Sequence, residues 1–273
     1  MSIDFDITEK GSGKGSSVEI LRYKQLLGSS DAATAQMIFY ANQSGMNLKQ
    51  VRVLLSGGEI MMESGLLHFM KGHITAENKM GGLGGLAKKI AANALTNETT
   101  FKPSYKGTGE IYLEPSFGHY IIVPLNAEEM IVDKGMFVAC ESTVEVGVAA
   151  QRNISSALFG GDGFFQTRLF GTGWCVLSSP VPSSEVMRLK LDNEKLSVDG
   201  NFALLRKGKI EFKVEKSTKS LLGGATGGEG LLQTFTGTGE VWLAPTQSVY
   251  ARLRYEGLGQ LSQSTGSMGQ STK

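Results

Sequence analysis

The sequence is poor in the side chains that carry most reactive chemistry. Among 273 residues there are 3 His, 2 Cys and 2 Trp. Cys140 and Cys175 are too few for a disulfide scaffold, and each stands in an apolar, strand-like context (FVACES, TGWCVL) that favours buried free thiols over a disulfide. Proline is scarce at 6 and hydrophobic residues make up 41%, so neither a collagen-like nor a disordered chain is expected. No run approaches the roughly 18 apolar residues that span a bilayer. Neither sign of charge dominates. With 27 Lys+Arg against 26 Asp+Glu the net charge is +1, which lacks the basic excess of a dedicated nucleic-acid binder. The opening MSIDFDITEK carries three acids, no arginine and no apolar centre. It reads as neither a secretory leader nor a transit peptide, and a cytoplasmic location is expected.

Reactive constellations are equally thin. No Gly-x-Ser-x-Gly elbow occurs, and Cys140 has no recognisable partner signature. His68 and His73 lie five apart with Glu63 and Glu77 near them, but in a strand that spacing points them to opposite faces. With His119 they read as surface histidines rather than metal ligands. Glu128 and Glu129 fall in NAEEM, which reads as a solvated turn. We therefore expect no metal, no cofactor and no enzymatic activity.

Glycine is what the chain has in excess: 36 residues, roughly twice the usual share of about 7%. Much of it recurs in order. Gly-Thr-Gly begins at Gly107, Gly171 and Gly237, 64 and 66 residues apart, each time followed by a strand-like run, a Pro and a second apolar alternation, which in the third case is the SVYARLRY ending at Tyr255. Turn glycines Gly65, Gly135 and Gly200 precede these triplets, 70 and 65 residues apart. A Gly-rich patch lies just before each triplet: MGGLGGLAKK from Met80, LFGGDGFFQTRLF from Leu158 and LLGGATGGEGLLQTFTG from Leu221. Three markers in one order at one period indicate internal repeats.

Each unit reads as β-hairpins, because β-branched and aromatic residues alternate between Gly, Ser and Pro boundaries. Gly-Thr-Gly is expected to supply a tight turn or bulge where a strand reverses or bends. It is no phosphate loop, since no Gly-Lys-Ser/Thr follows. The predicted fold is all-β: three β-hairpin repeats of about 65 residues forming a pseudo-threefold barrel or sandwich. Two short helices are expected, at 31–45 with Asp31 as N-cap and Gly45 past the end, and at 83–96. The expected organisation is an N-terminal extension at 1–47, repeats at 48–125, 126–191 and 192–256, and a flexible tail at 257–273. Lys10–Ser17 (KGSGKGSS) also reads as loose.

Gly-Gly-Asp-Gly-Phe-Phe-Gln at 160–166 before Gly171-Thr172-Gly173, and Gly-Gly-Glu-Gly-Leu-Leu-Gln at 227–233 before Gly237-Thr238-Gly239, resemble the signature of the altered-inheritance-of-mitochondria family. The resemblance covers about residues 48–255. It implies a compact β fold likened to that of the tryptophan RNA-binding attenuator protein, often oligomeric, with mitochondrial relatives linked to inner-membrane organisation. It carries no catalytic set onto these residues, and fold does not imply function. The first Gly-rich patch departs from the signature by its helical insert at 83–96.

The candidate interaction residues follow from the Gly-rich loops. Phe159, Phe164 and Phe165 set large apolar side chains among glycines, either packed in a core or subunit interface or presented to a partner or membrane. Asp162 and Glu229 occupy equivalent repeat positions, where they stabilise a loop or meet a ligand. Leu86 and Ile90 with Lys88 and Lys89 make an amphipathic helix, although two lysines add only about 2 kcal/mol at an anionic surface. The reading is a non-enzymatic oligomeric β scaffold or binding protein. Partners are a second copy, another protein or a membrane surface, and RNA is the least supported.

Overall fold

The computed structural model describes residues 4–77, 102–150, 165–216 and 231–256. Twelve strands and two α-helices are found among them, with antiparallel pairing throughout. The mostly-β expectation therefore holds. The chain divides into two compact units, the first comprising residues 1–129, 134–148 and 167–179, the second the remainder.

The first unit begins with β1 (Phe5–Ser12) and β2 (Ser16–Tyr23), a hairpin with Gly11 opposite Val18 and Ser12 opposite Ser17. Lys10–Ser17 is thus a hairpin end, not a loose segment. It is held because β2 buries Val18, Ile20 and Leu21. Next come α1 (Ala32–Gln43), β3 (Lys49–Met62), β4 (Leu67–Glu77) and β5 (Ser104–Leu113). Then follow β6 (His119–Val132), β7 (Phe137–Glu141), β8 (Val144–Ala150) and β9 (Phe165–Ser179). Alternation in β3 buries Val51, Val53 and Leu55. The ladder shifts at Gly57-Gly58, so β3 pairs with β2 through Leu55 and with β7 from Ile60, while β5 stays on its other side. Val18, Val53, Ile60, Ile111, Trp174 and Val176 anchor this core.

The second unit takes the last residues of β6, then β10 (Met187–Asp199), β11 (Ala203–Lys216), β12 (Leu231–Leu243) and α2 (Gln247–Glu256). β11 pairs with Met130–Val132 on one side and with β12 on the other, and β12 carries β10. Its core holds Val198, Phe212, Phe235 and Val241, with the two phenyl rings 5.1 Å apart.

Several sequence expectations need correction. Among the described residues the strand order ends at β1 in unit 1 and at β10 in unit 2, so neither closes on itself and no pseudo-threefold barrel is seen there. One reason is local. QSVYARLRYE, where a further strand was expected, is the helix α2. Pro245 and Thr246 precede it, the Thr246 carbonyl accepts the Val249 and Tyr250 amides, and Glu185 takes the Thr246 hydroxyl (2.5 Å) and the Tyr250 hydroxyl (2.7 Å). The Gly-Thr-Gly triplets also do not reverse the chain; each lies inside a strand, β5, β9 or β12. A Cβ on Gly107 (φ 144°) would come within 2.0 Å of the His73 carbonyl oxygen, and one on Gly237 (φ 132°) within 2.1 Å of that of Lys209. Strands approach too closely there for any side chain. The central threonines have their own task. Thr172 and Thr238 accept the amides of Ala127 (2.9 Å) and Asn193 (3.0 Å), the two non-glycine residues at positive φ among the described residues.

Candidate functional site

The expected helix at 31–45 is present as α1, and its ends explain it. Asp31 is extended and its carboxylate accepts the Thr34 amide at 2.9 Å. The Thr34 hydroxyl first, and then its amide, hold the Asp31 carboxyl below its usual range. At the far end Gly45 sits at φ 73° while the Met46 amide reaches the Ala41 carbonyl (2.8 Å) and the Gly45 amide that of Asn42 (3.2 Å). This is a Schellman closure. The helix belongs to an excursion, residues 24–48, from the end of the β2–β3 ladder, which the Tyr23 amide closes on the Leu48 carbonyl.

What α1 lacks is a covering. None of its residues is buried, and none is charged. Met37, Phe39 and Tyr40 are 65%, 57% and 60% exposed. Beside it runs a groove of about 900 Å³ walled by Leu26, Met37, Ile38, Tyr40, Met46 and Phe117. Its polar side chains are all uncharged. Tyr23, whose hydroxyl donates to Gln50, has its phenol pushed up by burial, and Gln25, Thr34, Asn42, Gln43, Ser44 and Asn47 complete the lining. Nearby cations are engaged: Lys24 pairs with Asp4 (2.8 Å), and Lys49, pushed down by burial and then by Arg22, donates to the Gly118 carbonyl at 3.1 Å. Such a groove can hold apolar matter; it has no acid–base pair to work on it.

A second recess, of about 490 Å³, lies between the β1–β2 turn, β6 and β9. At its wall is Glu141, 3% exposed, which accepts the Ser16 hydroxyl at 2.7 Å. Ser16 in turn accepts the Trp174 indole N–H at 3.0 Å.

Most loop residues singled out from sequence fall elsewhere. Phe159, Asp162, Phe164 and Glu229, with Leu86, Lys88, Lys89 and Ile90 of the expected helix at 83–96, lie outside the described residues. Phe165 is the first residue of β9. Glu128 and Glu129 are not in a turn but inside β6, where Glu129 pairs with Arg168. His68 and His73 are both exposed on β4, with His68 Nδ1 3.2 Å from the Gln50 amide. Among the described residues no three His, Cys, Asp or Glu cluster as metal ligands. Cys140 and Cys175 are buried free thiols facing each other across β7 and β9. Burial pushes Cys175 up to about 12 and Cys140 well above the usual thiol range, which makes both poor nucleophiles.

Sequence reasoning missed Glu141, although a signal existed. Lys71-Gly72-His73-Ile74 and Lys207-Gly208-Lys209-Ile210 precede the first and third Gly-Thr-Gly triplets, and at the matching place before the second stands Glu141-Ser142-Thr143-Val144.

The family model described as "Mitochondrial biogenesis AIM24" matches residues 41–246. The chain belongs to this family. An uncharacterized protein of Streptococcus pyogenes serotype M6 is 24% identical over 195 residues, 68% of this chain and 77% of that one. A crystal structure of a Streptococcus pyogenes protein, a structural-genomics target, superposes with a TM-score of 0.53 at 21% identity, covering 77% of this chain and 94% of that one. At that identity the AIM24-family chain shares the fold with it, and nothing more is carried over. Among the described residues no helix is long and apolar enough to cross a membrane.

Proposed function

We propose that this AIM24-family chain is a non-enzymatic, cytoplasmic β scaffold that works by association, and that α1 is its contact surface with a second copy of itself. The observation that carries the reading is a capped helix of 12 residues with no buried and no charged side chain. A helix of that length is marginal alone in water. One apolar on its outer face belongs against something. Methionine and aromatic side chains such as Met37, Phe39 and Tyr40 are the types enriched in interface cores. Docking on a membrane through the same face is the second reading. The uncharged helix favours it, but Lys24 and Lys49 are already engaged, which leaves little attraction for anionic lipid.

Native mass spectrometry on the wild type and on Met37→Glu and Phe39→Glu tests this. A homo-oligomer that falls to monomer in both variants supports the reading. A monomeric wild type that floats with anionic liposomes transfers α1 to the membrane reading. A wild type that is monomeric and does not float overturns both.

A further inference from the structure

The three Gly-Thr-Gly strands differ at one position. The second glycine of the triplet, given a Cβ, would meet the Lys71 carbonyl oxygen at 2.1 Å for Gly109 and the Lys207 carbonyl oxygen at 2.2 Å for Gly239. Backbone fills the space in both. At Gly173 the nearest atom is instead Glu141 Oε2, at 2.6 Å, with Thr143 Oγ1 at 3.0 Å. One repeat has exchanged a closed backbone contact for a carboxylate, and the recess of about 490 Å³ lies in front of it.

We propose that this recess is a binding site for a ligand carrying an alkylammonium group, with Glu141 as its counter-ion. The carboxylate is 3% exposed, yet among the described residues its donor is a single neutral hydroxyl, Ser16, on Oε1. A buried carboxylate with one neutral donor is only partly compensated, and a cation brought to its second oxygen completes the pairing. The backbone at Gly13 and Gly173 packs close against the carboxylate, since a Cβ would stand 1.9 Å and 2.6 Å from Oε2, so the approach left to a cation is from the recess that Glu141 lines. Lys10, on the wall, is paired with Glu19 at 3.0 Å and not with Glu141. Lys14 also lines the recess, exposed on the β1–β2 turn, and makes no ion pair among the described residues. It disfavours a second positive charge at the mouth, so the ligand is a monocation or is anionic at its far end. Ile122, Leu125 and Trp174 supply an apolar and aromatic wall for the carbons next to the charge. A divalent metal fits poorly, because it asks for about six oxygen ligands and the recess offers one carboxylate.

The probe is n-butylammonium chloride, titrated against the full chain by saturation-transfer NMR at constant ionic strength, with 1-butanol as the neutral equivalent. Saturable binding of the ammonium, weakened at least about tenfold in Glu141→Gln and in the swap to 1-butanol, is expected. Equal binding of butanol, unchanged binding to the variant, or no binding to the wild type overturns the site. Should Glu141→Gln fail to fold, the butanol comparison on the wild type decides alone. Phe39→Glu is expected to bind the probe as the wild type does, which keeps this result separate from that on α1.

Discussion

Glu19 and Glu141 are two carboxylates with nearly the same burial, 5% and 3% exposed, and opposite surroundings. Glu19 on β2 accepts two bonds from the Arg52 guanidinium and an ion pair from Lys10 at 3.0 Å. Burial pushes its carboxyl up, but the bonds from Arg52 and Lys10 outweigh it and hold the group below its usual value. Glu141 on β7 has a serine hydroxyl and an opening. A buried charge that the fold compensates is part of the fold; one left half compensated is available to something else. The same contrast separates the two helices. The start of α2 is tied by Glu185 through Thr246 and Tyr250, whereas α1 is held by its own caps and presents its apolar face outward.

Breaking the contrast gives graded effects. The largest is at Glu19→Ala, which strands Arg52 and is expected to cost about 3 kcal/mol in urea unfolding. Its sign with pH is fixed by the depressed carboxyl. The stabilisation is present above the unfolded value of 4.5 and is lost as pH falls through the lower folded value. The gap between wild type and variant should therefore close in acid. A gap that persists there would show that the cations are not what holds Glu19. Next is Ser16→Ala, which removes the donor to Glu141 and the acceptor for Trp174 together. A loss of about 1–3 kcal/mol is expected, read by thermal unfolding. Glu141→Gln keeps the shape and the Ser16 bond, and its unfolding free energy should stay within about 1 kcal/mol of wild type. A loss as large as that at Glu19 would make the two acids equivalent. Smallest is Phe39→Glu, expected within about 0.5 kcal/mol by urea unfolding of the dissociated chain.

What could be read from the sequence follows how local each cause is. The α1 boundaries were legible because Asp31 and Gly45 act within four residues of themselves. The Gly-Thr-Gly triplets were visible, but their role was not, since the carbonyls of His73 and Lys209 that exclude a side chain come from facing strands. α2 was misread because VYARLRY alternates like a strand, while the group that fixes its start, Glu185, lies 61 residues from Thr246. Glu141 looked like any acid in a strand. Only alignment of Glu-Ser-Thr-Val with Lys-Gly-His-Ile and Lys-Gly-Lys-Ile singles it out. The apolar exposure of α1 had no local sign, because the same stripe would serve to pack it inward.

The claim that α1 is covered by a second copy of the chain is tested most directly by amide hydrogen exchange over residues 32–43 at low and high protein concentration. The account predicts that exchange in α1 slows as concentration rises while the core strands β3 and β5 stay unchanged. Exchange in α1 that is fast and identical at both concentrations would contradict it.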